Sequence, residues 1–165
     1  MRNSRLTNGG IMKNIVLTRI DDRLLHGQVV VSWIPYLKIN EIIIPDDEYA
    51  NDSFIAALVK DAAPGNIFVN VLPVKEAADY LKTEDDGSRI LVLSRYIENI
   101  AELIELNVQI NMINIGGLGN IPGRKRYLNS IHLSDEELNI LKHIANKNIA
   151  VEIRMLPNDK AISIV

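Results

Sequence analysis

The chain has 165 residues, 47% hydrophobic and 24% charged, with a formal net charge of −3 and no cysteine. That length suits one domain able to bury about two-thirds of its unfolded surface. The composition excludes thiolate catalysis, iron–sulfur clusters and cysteine-bound zinc, gives no general attraction to nucleic acid or anionic lipid, and holds no apolar run near the roughly 18 residues of a spanning helix.

Residues 1–11 are polar, aperiodic and rich in Asn, Arg and Gly, which predicts a disordered N-terminal extension ahead of a domain covering 12–165. Gly9-Gly10 can be encoded by a purine-rich stretch of the kind that precedes a start codon, so translation from Met12 is expected. From Asn14 onward, short β-branched runs alternate with longer helical patterns, the rhythm of βαβ units. Strands are expected at Asn14–Arg19, Glu41–Ile44, Ile67–Leu72, Arg89–Ser94, Ile110–Ile115 and Ala150–Met155, with a short piece at Ser130–Leu133. Most are continuous Ile, Val and Leu runs, which suits strands covered on both faces. The expected fold is therefore α/β: a single open, mainly parallel sheet with helices on both faces and an active loop after the first strand.

The first helix, about Gly27 to Leu37, carries Val29, Val30, Trp33 and Leu37 on one stripe. Pro35 lies inside it and costs about 3 kcal/mol unless the helix bends or stops there. Further helices are expected at Asp47–Lys60, Val74–Thr83 behind Pro73, Tyr96–Leu106 and Ser134–Lys147. The last opens with Ser134-Asp135-Glu136-Glu137, the spacing of a capping box. Thr83–Ser88 and Gly116–Asn129 read as loops.

One stretch concentrates chemistry: Thr18-Arg19-Ile20-Asp21-Asp22-Arg23-Leu24-Leu25-His26-Gly27-Gln28-Val29. It follows the first strand, and in open parallel sheets ligands collect outside the carboxyl ends of strands. Gly27 allows close approach, helix-start amides beyond it suit an anion, and arginine forks match phosphate oxygens. An imidazole is largely neutral and nucleophilic near neutral pH, so His26 is placed to carry a phosphoryl group.

Arg19 through Val29 resembles the active-site signature of the IIB component of the mannose/fructose/sorbose family of the bacterial sugar phosphotransferase system. Further matching segments are Ile43-Ile44-Pro45-Asp46-Asp47-Glu48-Tyr49-Ala50-Asn51-Asp52, Asn114-Ile115-Gly116-Gly117 and Val151-Glu152-Ile153-Arg154-Met155-Leu156-Pro157. Leu25 stands where many relatives have isoleucine. The resemblance implies a cytoplasmic phosphotransferase, peripherally associated with its transporter. In that role His26 accepts phosphoryl from a partner IIA protein, and the group passes to a sugar bound in the membrane IIC and IID components. It implies no metal, and relatives commonly work as dimers or in larger complexes; the transfer requires no cofactor, and the acidic balance gives no nucleic-acid partner.

The assigned roles are His26 and Arg23 as the catalytic pair, with Arg19, Gly27 and Gln28 as phosphate binders. Asp21, Asp22, Asp46, Ser94, Gly116 and Gly117 are expected at the rim, and either arginine can also pair with Asp21 or Asp22. Asp21 and Asp22 suit either general-base work or loop-holding bonds to backbone amides. Asp46-Asp47 sits where paired carboxylates can bind Mg²⁺, although Asp47 also suits a helix N-cap. Gly116-Gly117-Leu118-Gly119 lacks the spacing of a dinucleotide loop and reads as a turn beside the active loop. Gly123-Arg124-Lys125-Arg126 reads as a solvated basic run able to steer an acidic IIA surface. His132 and His143 read as structural. Two other functions fit the residues: a non-catalytic regulatory phospho-acceptor of the same fold, or a receiver-like domain phosphorylated on Asp46 or Asp47.

Overall fold

In the computed structural model, which describes residues 10–164, the first apolar run forms β1 (Ile15–Asp21). A π-helical segment (Val29–Trp33) and α1 (Ile34–Leu37) follow, then β2 (Glu41–Pro45), α2 (Asp47–Ala50), α3 (Ser53–Asp61), β3 (Phe68–Leu72), α4 (Val74–Leu81) and β4 (Ile90–Ser94). The chain continues through α5 (Ile97–Glu105), β5 (Met112–Gly117), the hairpin β6 (Lys125–Leu128) and β7 (Ile131–Leu133), α6 (Asp135–Ala145), β8 (Ala150–Ile153) and β9 (Ile162–Ser163). Seven strands form one sheet in the order β3-β2-β4-β1-β5-β8-β9, parallel except for β9 at its edge.

Strand alternation divides the core into two layers. Ile43 and Val92 join Val74, Ile97, Ile100 and Leu141 of the α4–α6 side, while Ile42, Ile44, Leu91 and Leu93 join Val29, Trp33 and Ile34 on the other. Helices thus cover both faces, as continuous Ile, Val and Leu strands require. β1 lies fourth of seven, flanked by β4 and β5, so the turn after it emerges mid-sheet at the carboxyl end.

Pro35 is absorbed by a widened turn. The chain is already helical at Gly27, and Ile34 N–H donates to the Val29 carbonyl five residues back, giving room where the proline ring would displace a normal turn. The helix ends at Lys38, which adopts φ 52°. The single helix expected over Asp47–Lys60 is two, because Asp52 accepts from Phe54 N–H and Ile55 N–H and starts α3 afresh. Asp46, not Asp47, caps α2, accepting from Tyr49 N–H at 2.9 Å. Asp47 reaches across to Val74 N–H at 2.7 Å and caps α4, where Pro73 has no donor or acceptor side chain to offer. The capping box at α6 is present as expected.

The Gly116–Asn129 segment, expected as loop, contains the end of β5 and all of β6, and β9 is a second unpredicted strand. Of the expected extension, residues 1–9 lie outside the described residues. The Ile11 carbonyl accepts from Asp85 N–H at 2.7 Å, and Met12 bridges Glu84.

Candidate active site

β1 ends at Asp21, and the chain turns at once: Leu24 N–H donates to the Asp21 carbonyl at 3.0 Å, with Leu24 at φ 53°. Asp22 N–H donates to the Gly117 carbonyl at 3.0 Å, tying this turn to the exit of β5. Two residues after Leu24 comes His26, and helical turns begin at Gly27.

Asp21 is the hub. Its side chain has no exposed surface. Its Oδ2 accepts from His26 Nε2 at 2.9 Å, from Arg19 Nη2 at 3.1 Å and from Arg23 Nη2 at 3.1 Å. Its Oδ1 accepts from Arg23 Nε at 3.0 Å and from the Arg23 backbone N–H at 3.2 Å. Burial alone would raise the pKa of this carboxyl, but the bonds from Arg23 and His26 and the charge of Arg19 outweigh it and hold Asp21 below the usual carboxylate range.

Arg19 departs from expectation. It is fully buried, so direct phosphate contact fails on geometry. Its Nη1 donates to Asn114 Oδ1 and to the Arg154 carbonyl at 3.0 Å, and its guanidinium lies over the Trp33 ring, 5.4 Å from the centroid. On the other side is Gly116, where a Cβ would stand 1.8 Å from Arg19 Nη2. Only glycine leaves room for this packing. Burial pulls the Arg19 pKa below its ordinary value, with Asp21 opposing that shift.

Arg23 is different: its side chain is 47% exposed, and its two bonds to Asp21 raise its pKa. The His26 side chain is 17% exposed. A carboxylate can only accept, so in the neutral ring Nε2 carries the hydrogen and Nδ1 presents the lone pair. The site therefore combines a nucleophilic nitrogen, a fixed anion behind the ring and a half-exposed guanidinium.

Residues 15–165 match the family described as PTS system sorbose subfamily IIB component. The chain belongs to that family. It is 31% identical over 149 residues to the fructose-specific EIIB component of Bacillus subtilis (strain 168), covering 90% of this chain and 91% of that protein. It is 28% identical over 152 residues to the mannose-specific EIIAB component of Escherichia coli (strain K12), of whose length the match spans 47%. The crystal structure of manxB from Thermoanaerobacter tengcongensis superposes with a TM-score of 0.84 at 32% identity, covering 93% of each chain.

In this IIB component the remaining predicted residues separate into two groups. Gly27 and Gln28 are exposed at the start of the helical segment, and a Cβ on Gly27 would meet nothing within 4 Å. Gly117 packs under Arg23, where a Cβ would come 2.8 Å from Nη2, and Asp22 accepts from Gly119 N–H at 2.6 Å. Asp46 and Ser94 are not open rim groups. Asp46 is buried and bonded to Arg95 Nε at 2.8 Å, with Arg95 packed over the Tyr49 and Tyr96 rings. Ser94 is buried and bonds locally to Tyr96. With Asp46 and Asp47 each capping a separate helix, neither carboxylate is presented as a receiver-type acceptor.

Sequence reasoning gave Trp33 only a place in the helix stripe and Asn114 only a place in a motif, although both brace Arg19. A lone polar residue inside the apolar run Met112-Ile113-Asn114-Ile115 was the available signal, since a buried amide needs partners. The expected solvated basic run differs at one position: the Arg124 side chain is largely covered, whereas Lys125 and Arg126 are exposed.

Proposed function

We propose that His26 is the phosphoryl acceptor and that the chain acts as a cytoplasmic phosphotransferase in sugar uptake. The donor is a phosphohistidine on a IIA protein or domain, and the final acceptor is a sugar hydroxyl presented by the membrane IIC and IID components. Kinship with an EIIAB protein supports a IIA partner. The observation that carries the reading is the 2.9 Å bond from His26 Nε2 to the buried Asp21 carboxylate. It keeps the hydrogen on Nε2 and makes Nδ1 the nucleophile.

In the first step the Nδ1 lone pair attacks phosphorus. A P–N bond forms at His26, and the donor's P–N bond breaks with its electron pair returning to the donor imidazole. The His26 ring then carries phosphoryl on Nδ1 and hydrogen on Nε2, so it is cationic, and Asp21 faces that charge. In the second step a sugar hydroxyl oxygen attacks phosphorus, the P–Nδ1 bond breaks toward the ring, and the hydroxyl proton leaves to water or to a base on the membrane component. Exchange between two imidazoles is nearly balanced, so the protein contributes alignment and positive charge around a loose anionic transition state. Arg23 supplies that charge, and the Gly27 and Gln28 amides add donors. Arg19 acts one step removed, by holding Asp21.

The test is phosphorylation by phosphoenolpyruvate, enzyme I, HPr and IIA. The expected product is acid-labile, alkali-stable phosphate on His26, absent in His26→Ala. Phosphate accepted by His26→Ala, or a label lost in alkali as an acyl phosphate is, overturns the assignment.

A further inference from the structure

Arg124 lies between β5 and β6, in a basic run, yet its side chain is only 5% exposed. Its Nε donates to both Glu137 oxygens at 3.0 Å, and its Nη2 donates to Glu137 Oε1 at 2.6 Å. Glu137 is buried too, and its Oε2 accepts from Ser134 N–H at 2.8 Å in the α6 capping box. The free end of the fork points the other way. Arg124 Nη1 donates to the Gly119 carbonyl at 3.2 Å and stands 3.8 Å from Asp22 Oδ2. Asp22 grips the same glycine from its amide side. Gly119 is thus clamped between opposite charges, one of them rooted in α6 and the other in the turn that carries Arg23.

We infer that Arg124, anchored by Glu137, is a positioning residue for phosphoryl transfer, setting the Asp22–Gly119 corner from which Arg23 and Asp21 take their geometry. This rests on His26 being the acceptor. A buried ion pair is poor evidence for stability, because apolar residues of similar volume often do as well. Its location is more informative. Asp22 is bonded on to the Gly117 carbonyl, and the next residue's N–H donates to Asp21 Oδ1, so a shift at Gly119 reaches the hub through two hydrogen bonds.

The test uses the full chain with Arg124→Met alone and combined with Glu137→Gln, which removes the charges and keeps an oxygen for the Ser134 cap. The single variant leaves Glu137 unpaired and melts lower; the double variant recovers most of that loss. A purely structural pair predicts that transfer recovers with it. The positioning role predicts that the double variant, at saturating phospho-IIA, stays about tenfold slower, less than the roughly 100-fold that a 1 Å misplacement costs, with the half-saturating donor concentration unchanged. The Gly119 amide, measured by hydrogen exchange, loses protection in the same variant. Arg124→Lys keeps the charge but cannot span Glu137 and Gly119 together, and it shows the same split should the double variant not fold. A parent-like saturated rate, or parent-like Gly119 protection, overturns the inference. If the unmodified protein takes no phosphate on His26, the proposed function fails and this inference fails with it, an outcome distinct from a parent-like rate in the variants.

Discussion

Replacing Asp21 with asparagine keeps the shape of the hub and removes the charge that His26, Arg19 and Arg23 share. Asparagine offers one acceptor oxygen, and its amide must turn two hydrogens toward groups that are themselves donors. Arg19, fully buried, then lacks the carboxylate 3.1 Å from its Nη2. Breaking a buried ion pair from one side costs about 3–5 kcal/mol. The surviving bonds from Arg19 to Asn114 and the Arg154 carbonyl place the loss at the lower end. At about 2–4 °C per kcal/mol for a chain of this size, the melting temperature falls by about 6–12 °C. The ring loses a charge-assisted bond worth about 1.5–3 kcal/mol, which slows transfer by about 10- to 100-fold. Calorimetry and rapid-quench phosphorylation by phospho-IIA measure both quantities. A variant with an unchanged melting temperature and a rate within about threefold, a difference of about 0.7 kcal/mol, would refute the hub. The sign of the pH effect follows as well. Asp21 has a depressed pKa in the fold, so its stabilisation is complete above the unfolded value of about 3.9 and disappears as pH falls through the lower folded value. The stability gap between parent and variant therefore narrows below about pH 4 in acid titrations followed by circular dichroism.

Arg23→Ala removes a half-exposed side chain while Asp21 keeps Arg19 and His26, so single-turnover transfer drops by about 100-fold with the far-ultraviolet spectrum intact; an unchanged rate removes Arg23 from the mechanism. Gly116→Ala forces a Cβ to within 1.8 Å of Arg19 Nη2 and 2.0 Å of its Cζ, with the Trp33 ring packed on the same guanidinium, so destabilisation reaches or exceeds about 3 kcal/mol by chemical denaturation. Gly27→Ala, with nothing near its Cβ, shifts stability upward by about 0.4–1 kcal/mol in the same assay. Equal effects at the two glycines would mean that the cradle for Arg19 is not rigid.

The parts of the fold that were legible are those whose signal is local. Most of the expected strands are runs of Ile, Val and Leu whose burial follows from their own composition, and the capping box announces α6 with two residues three apart. The missed β6, Lys125-Arg126-Tyr127-Leu128, is mostly exposed and carries no apolar run, so its strand geometry comes from hairpin pairing with β7 and leaves no hydrophobic signal of its own. The split of Asp47–Lys60 was readable, since Asp52 before Ser53 and Phe54 is an N-cap inside a helical pattern, but the apolar period outweighed it.

The candidate site shows the same division at finer scale. His26, Arg23 and Asp21 fall within six consecutive positions, so the motif alone brought them together. Arg19 needed more, because its burial depends on Trp33, Asn114, Gly116 and Arg154, contributed by other elements. One clue was nevertheless present in the strand period. Leu17, Arg19 and Asp21 share one face of β1, the face whose core holds Trp33, while Ile20 joins the opposite layer. Charges that keep the parity of a buried leucine along a central strand must pair with each other beneath the surface, since a lone buried charge is too costly. Parity ends where the strand does. Beyond Asp21 the backbone turns, and the next arginine is half-exposed because it no longer belongs to the sheet. The arginine two residues before Asp21 therefore holds the carboxylate, and the one two residues after it keeps the exposure that its proposed role in transfer requires.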